Sequence, residues 1–145
     1  MKVLLLKNVD KVVGRFITTL LPPPTARPLT RFGRVLLIRP GGIGDAVDLI
    51  QTIQASNNAF PDVGVEVLAE KRNAQIFSLS PDISKVHCYD SSADLLRIFK
   101  KSYDVIFDTE QWHYLSAVVS RLVRSKRKVG FKTNRRAKMF TDSVI

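Results

Sequence analysis

The sequence predicts an α/β protein: a Rossmann-like parallel sheet with helices on both faces, preceded by an amphipathic helix. Three observations carry this. From Arg34 onward, short apolar runs alternate with segments of helical periodicity. The runs, such as "VLLI" at 35–38, are apolar throughout rather than at every second residue, as in strands covered on both faces. A glycine cluster, "GGIG" at 41–44, follows the first run directly and opens a helical segment. Strands and helices in alternation fold as parallel strands joined by right-handed crossovers.

The elements follow in order. Residues 3–21 carry Leu5, Leu6, Val9, Val12, Val13, Phe16, Ile17, Leu20 and Leu21 at three- and four-residue steps, a helical stripe. Lys7, Lys11 and Arg15 share one face, and Gly14 weakens the helix. "LPPPTARP" stops it, because proline lacks the N–H and restricts its predecessor. Residues 22–33 therefore read as a stiff, extended linker, dividing the chain into an N-terminal part, 1–33, and a Rossmann-like domain, 34–145. In that domain the first strand covers 34–39. A helix from Asp45 to about residue 60 carries Ala46, Val47, Ile50, Ile53 and Gln54 near one face. A second strand spans 65–69, and a short helix or irregular turn starts at Lys71. A third strand starts at Lys85. The next helix has Ser92 as its cap and Asp94 in its first turn. A fourth strand begins at Tyr103, a helix covers 112–125, and a fifth strand covers 126–131. The tail from Lys132 carries no definite pattern.

Length and composition narrow the function classes. The chain has 145 residues, 45% of them apolar, enough for one packed core and too many apolar residues for wholesale disorder. Cys88 is the only cysteine. No internal disulfide is available, which fits a reducing compartment, and Cys88 in its apolar run reads as a buried thiol. No stretch reaches the ~18 consecutive apolar residues of a membrane-spanning helix. Lys7, Asp10 and Lys11 interrupt the first apolar run and no small-residue cleavage site follows, unlike a signal peptide. The formal net charge of +10 points to an anionic partner: a membrane surface, a phosphorylated substrate or nucleic acid.

In parallel sheets, ligands bind beyond the carboxyl ends of the strands. That rule selects the loops 39–45, 69–73 and 108–114. Two readings of "RPGGIGDAV" compete. In the first, Gly42 and Gly44 begin a dinucleotide fingerprint, but Val47 stands at the third glycine position, although Glu70 could serve a ribose. Asp45 also opposes this reading, because a carboxylate repels a pyrophosphate seated on the helix start. In the second, the glycines bring the backbone close to a ligand, and Asp45 is an ionised base facing the crevice. Asp45 could instead serve only as a helix N-cap.

The segments "VLLIRPGGIGDAV", "FPDVGVEVLAEKRNAQIFSLSPDISKVHCYD", "YDVIFDTEQWHYLSAVVSRL" and "RKVGF", in this order, resemble glycosyltransferase family 9, the lipopolysaccharide heptosyltransferases and their relatives. The resemblance implies the N-terminal half of a GT-B fold, two Rossmann-like halves facing across a cleft. It implies that this half binds the acceptor, a lipopolysaccharide core or other glycan. The donor, a nucleotide-sugar such as ADP-heptose, would be held mainly by the other half. It further implies a cytoplasmic enzyme that transfers heptose or a related sugar, inverts the anomeric centre and needs no metal. Asp45 matches the family's base. Arg39, Gly41, Gly42 and Gly44 are then candidate acceptor-binding residues, joined by Glu110, Trp112 and His113 after the fourth strand. Ile50 and Gln51 replace the family's usual T-P pair, Asp48 replaces an apolar residue, and Gln111 replaces a glycine. Two domains need roughly twice this length, so the donor-binding half is expected to lie outside these residues and this chain alone to be inactive. The alternative is a Rossmann-type nucleotide-binding module without transferase activity.

Other residues carry double readings. Trp112 either stacks on a sugar face or is buried, while Glu110 and His113 either meet hydroxyls or cap and pack. His87, on a strand, reads as structural. Two histidines and one cysteine lack metal-ligand spacing. The run from Arg121 to Lys138 is basic without an acid, ordinarily a solvated face. It could also meet phosphorylated lipid at a membrane; specific nucleic-acid recognition has no motif here. The stripe of 1–21 has two fates. It packs on the domain, or it lies on an anionic membrane, at the inner face of the bacterial inner membrane, with Lys2, Lys7, Lys11 and Arg15 at the head groups.

Overall fold

The computed structural model describes residues 10–30 and 32–145. A single π-helical turn, Asp10–Gly14, leads into α1 (Arg15–Leu20). The domain then runs β1 (Arg34–Arg39), α2 (Ile43–Ala59), β2 (Gly64–Ala69), α3 (Lys71–Ser78), β3 (Lys85–Cys88), α4 (Ser92–Lys100), β4 (Ser102–Asp108), α5 (Tyr114–Leu122) and β5 (Arg124–Phe131). A 3₁₀ turn, Arg135–Met139, and β6 (Asp142–Val144) complete it.

The six strands form one sheet in the order β3-β2-β1-β4-β5-β6, and every pairing is parallel. This is the doubly wound order, with the chain reversing direction across the sheet between β1 and β4. The continuous apolar character of β1 has its cause here. Val35 and Leu37 pack with Val65, Val67, Ala46, Ile53 and Phe77 under α2 and α3. Leu36 and Ile38 pack with Leu68, Ile106, Ile98 and Val119 under α4 and α5. Each full burial of such a side chain contributes about 1.5–3 kcal/mol, so a polar residue at either parity would be costly.

The structure departs from the sequence reading at several places. α5 stops at Leu122, and β5 begins at Arg124 instead of 126, because Val123 is already extended and Arg124 pairs with Ser102. The tail supplies a sixth strand, three residues long, at the sheet edge. The cap of α4 is Ser91, whose hydroxyl accepts the Asp94 N–H at 3.3 Å. On α2, Ala46 and Ile53 are buried while Val47 is exposed. Cys88 is half-buried.

The N-terminal part lies along the domain. Asp10 meets the start of α5, and α1 contacts α5 and the 3₁₀ turn. The proline-rich segment is pinned as well: Arg121 Nε donates to the Pro22 carbonyl at 2.9 Å, and the Arg27 N–H donates to the Lys126 carbonyl at 3.0 Å. Leu5, Leu6, Lys2, Lys7 and Val9 lie outside the described residues.

The basic run is divided and not a uniformly solvated face: Arg124, Lys132, Arg135 and Lys138 are exposed, while Lys128 and Arg136 are internal. Lys128 is buried and donates to the carbonyls of Ser120 (2.6 Å) and Val123 at the end of α5. Burial pushes its ammonium down to about 8. Arg136 is buried against Asp108, while Lys126 pairs with Asp104 and Arg127 with Asp142. His87 is buried too, its Nε2 at 2.8 Å from Glu66.

Candidate functional site

The carboxyl ends of β1 and β4 flank the point where the sheet order reverses. β1 ends in Arg39, and the chain turns back through Gly41 at φ +101°. That left-handed conformation favours glycine. Gly42 is the N-cap of α2, with no side-chain capping bond. Asp45 is therefore not the cap. It stands in the first turn, and its carboxylate folds back over Gly42, where a Cβ would lie 2.5 Å from Oδ2. A side chain at 42 would thus evict the carboxylate from its place. At Gly44 an added Cβ would meet nothing within 4 Å, so this position borders open space.

Arg39 organises the loop ends. Its Nη1 donates to the Thr109 carbonyl at 2.7 Å, just beyond β4, and its Nη2 pairs with Asp45 Oδ2. The Arg39 carbonyl accepts from Asn73 Nδ2 at 3.1 Å. One mostly buried guanidinium therefore spans the switch point and orients one oxygen of Asp45. The other oxygen, Oδ1, has no hydrogen bond or ion pair among the described residues, and the side chain is 57% exposed. Around them is a cleft of about 220 Å³ lined by Arg39, Asp45, Asp48, Leu49, Thr52 and Thr109. An apolar cavity of about 330 Å³ adjoins it, sharing Leu49, Thr52 and Thr109. Two carboxylates against one guanidinium make the polar cleft a poor seat for a phosphate and a suitable one for hydroxyl donors.

The loop after β4 is built from the inside. Asp108 is fully buried and ion-paired with Arg136 at 2.6 Å. Its Oδ1 accepts the Glu110 N–H at 3.0 Å. Burial pushes the Asp108 carboxyl up to about 6, against the pull of Arg136, the Glu110 N–H and Ser116. Arg136 also donates to the Glu110 carbonyl and to Ser116 Oγ at 3.2 Å. Glu110 Oε1 accepts from the N–H groups of Gln111 (2.8 Å) and Trp112 (2.9 Å). One oxygen of Glu110 is thus committed to shaping its own loop.

Trp112 is 66% exposed, not packed inside. With His113, Tyr114 and Asn134 it lines a second cleft of about 500 Å³, which Asp10, Lys11 and Arg15 complete. The structure therefore places Arg39 and Asp45 in the lining of one cleft, with Gly41, Gly42 and Gly44 on the turn between them, and Trp112 with His113 at another. Glu70, the candidate ribose ligand, is paired with Arg72 at 2.7 Å. Sequence reasoning missed Thr52 and Thr109 and the organising role of Arg136. A signal for Thr52 existed: Asp45, Asp48 and Thr52 recur at three- and four-residue steps, one helix face.

No family model matches the chain, and no curated protein matches its sequence. Solved structures do match its fold. E. coli heptosyltransferase WaaC, determined with ADP, is similar at a TM-score of 0.67 and 20% identity, over 77% of this chain and 40% of that one. The fold is similar to one part of a heptosyltransferase. A glycosyl transferase family 9 protein from Veillonella parvula is similar at 0.65 and 9% identity, over 83% of this chain and 38% of its own. E. coli ADP-heptose lps heptosyltransferase II is similar at 0.62 and 19% identity, over 77% and 34%. The chain spans 40% or less of these three structures.

Proposed function

We propose that this heptosyltransferase-like chain is the acceptor-binding half of an inverting glycosyltransferase, with a lipopolysaccharide-type glycan as acceptor. The observation that carries the proposal is the Asp45 carboxylate at the switch point, with one oxygen held by Arg39 and the other facing an open cleft. A nucleotide-binding module would need that helix start free for a phosphate; here an anion already occupies the position. In the proposed reaction an acceptor hydroxyl lies in the cleft and donates to Asp45 Oδ1. As its oxygen attacks the anomeric carbon, the proton passes to Asp45, the glycosidic bond forms, and the bond to the nucleotide diphosphate breaks. The donor, a nucleotide-sugar such as ADP-heptose, is held by residues beyond this chain. Arg39 acts as a positioning residue and fixes the direction of the carboxylate. Trp112 offers a ring face to a more distant sugar of the acceptor.

Amide NMR on the chain tests this reading. A lipopolysaccharide core oligosaccharide should shift resonances of 41–46 and 109–113, whereas ADP should leave 41–46 unmoved. Saturable shifts at 41–46 with ADP and none with the oligosaccharide would replace the proposal with the nucleotide-binding alternative.

A further inference from the structure

The strap formed by residues 10–20 is amphipathic in the unexpected sense. One line, Asp10, Gly14 and Thr18, faces the domain and is buried. The Asp10 carboxylate accepts the N–H groups of Tyr114 (3.0 Å) and Leu115 (2.7 Å), capping α5 from outside its own sequence. Gly14 lies flush on that helix start, since a Cβ there would stand 2.7 Å from Tyr114 Cβ. Lys138 Nζ clamps the far end through the Thr19 carbonyl at 3.1 Å. The other line, Val12, Phe16 and Leu20, points outward and is 71%, 64% and 66% exposed. A strap evolved only to pack would reverse these faces, because burying the small and polar line leaves the apolar area in water.

The surroundings of the outward line are cationic. Lys11 and Arg15 on the strap are exposed, as are Arg135 and Lys138 on the 3₁₀ turn that packs against α1. Residues 11–30 contain no acid. Neither Lys11 nor Arg15 has an ion pair among the described residues. An apolar line rimmed by unpaired cations matches the two components of interfacial membrane binding, acyl contact and attraction to anionic head groups. A second copy of the chain would bring the same positive rim and repel it.

We propose that Val12, Phe16 and Leu20, with Lys11 and Arg15, seat the protein on an anionic lipid bilayer. The strap is fastened to the start of α5, immediately after the loop 109–113. The contact therefore holds the carboxyl edge of the sheet, where the clefts open, close to the lipid surface. The inference does not depend on which ligand the Asp45 cleft takes.

Co-sedimentation of the chain with vesicles decides it. Vesicles containing phosphatidylglycerol should bind the chain at about 0.15 M salt, while pure phosphatidylcholine vesicles bind it weakly. The triple variant Val12→Ser, Phe16→Ser, Leu20→Ser should bind about tenfold or more weakly, with an unchanged circular dichroism spectrum and urea midpoint because the three side chains face out. Lys11→Gln with Arg15→Gln should weaken binding several-fold and flatten its salt dependence. Wild-type-like binding by the triple variant would overturn the proposal and move the contact elsewhere on the basic surface. Absence of binding to anionic vesicles would also overturn it. Self-association of the wild type that the triple variant abolishes, without vesicle binding, would assign the stripe to a second copy instead.

Discussion

Two aspartates end up on either side of the switch point, each paired with an arginine, and they do opposite things. Asp108, at the end of β4, is sealed with Arg136 and spends its oxygens on the loop that follows. Asp45, one turn beyond β1, is more than half exposed, and Arg39 holds only one of its oxygens. The first is architecture: its charge is matched inside the protein. The second keeps an unmatched oxygen in a cleft, which is what proton abstraction needs. Similar pairs of residue types therefore differ in role because of burial and of how many lone pairs the fold consumes.

The contrast can be broken most forcefully at Arg136. Arg136→Leu leaves Asp108 buried without its partner and is expected to cost about 3–5 kcal/mol in urea unfolding. A loss below about 1 kcal/mol would mean that the loop relaxes and solvates Asp108, and the architectural role would fall. Asp45→Asn should act on the other axis. In a two-domain protein carrying this chain, turnover should drop by ~10²-fold or more, while stability changes by no more than about 0.5 kcal/mol. Normal turnover at saturating acceptor would remove the base from Asp45.

Lys128 sharpens the same comparison for a cation. Burial lowers its folded-state value to about 8, below the ordinary lysine value, so the unfolded chain binds the proton more tightly. Its contribution to stability is present in full only above the unfolded value and is lost as pH falls through about 8. Urea stability should thus rise between pH 8 and 10, by about 1–3 kcal/mol. The rise should vanish in Lys128→Met. Burial raises the phenols of Tyr89 and Tyr103, which pull the other way only above this window. A flat profile in the wild type would mean that water reaches the ammonium.

The smallest effect belongs to Trp112. Trp112→Ala should leave unfolding unchanged and weaken binding of a glycan by about 0.5–1.5 kcal/mol, measured by calorimetry. Equal affinity in both proteins would remove the stacking role and leave the second cleft without a sugar contact.

The elements legible in the sequence are those whose pattern has one physical solution. An apolar run such as Val35–Ile38 can satisfy both parities only inside a sheet covered on both faces. The turn 41–44 was legible because Gly41 needs a left-handed backbone, and Asp45 stood out as an anion at a helix start. The end of α5 was not legible, because apolar Val123 suits a helix as well as a strand until pairing with β4 extends the chain. β6 is too short to carry a period.

The sequence by itself determined the layers and strand alternation of the 34–145 region, and which loops lie at the carboxyl edge of the sheet, because local periodicity and glycine geometry are properties of neighbouring residues. Only the tertiary structure decided which charges are internal. Lys128 and Arg136 look like solvated surface in a basic run, yet they satisfy the end of α5 and the carboxylate of Asp108 across gaps of up to 28 residues. It also decided which line of the strap faces the protein. Periodicity marks a stripe without saying what lies against it, whereas the Asp10 carboxylate on the first N–H groups of α5 turns Val12, Phe16 and Leu20 outward.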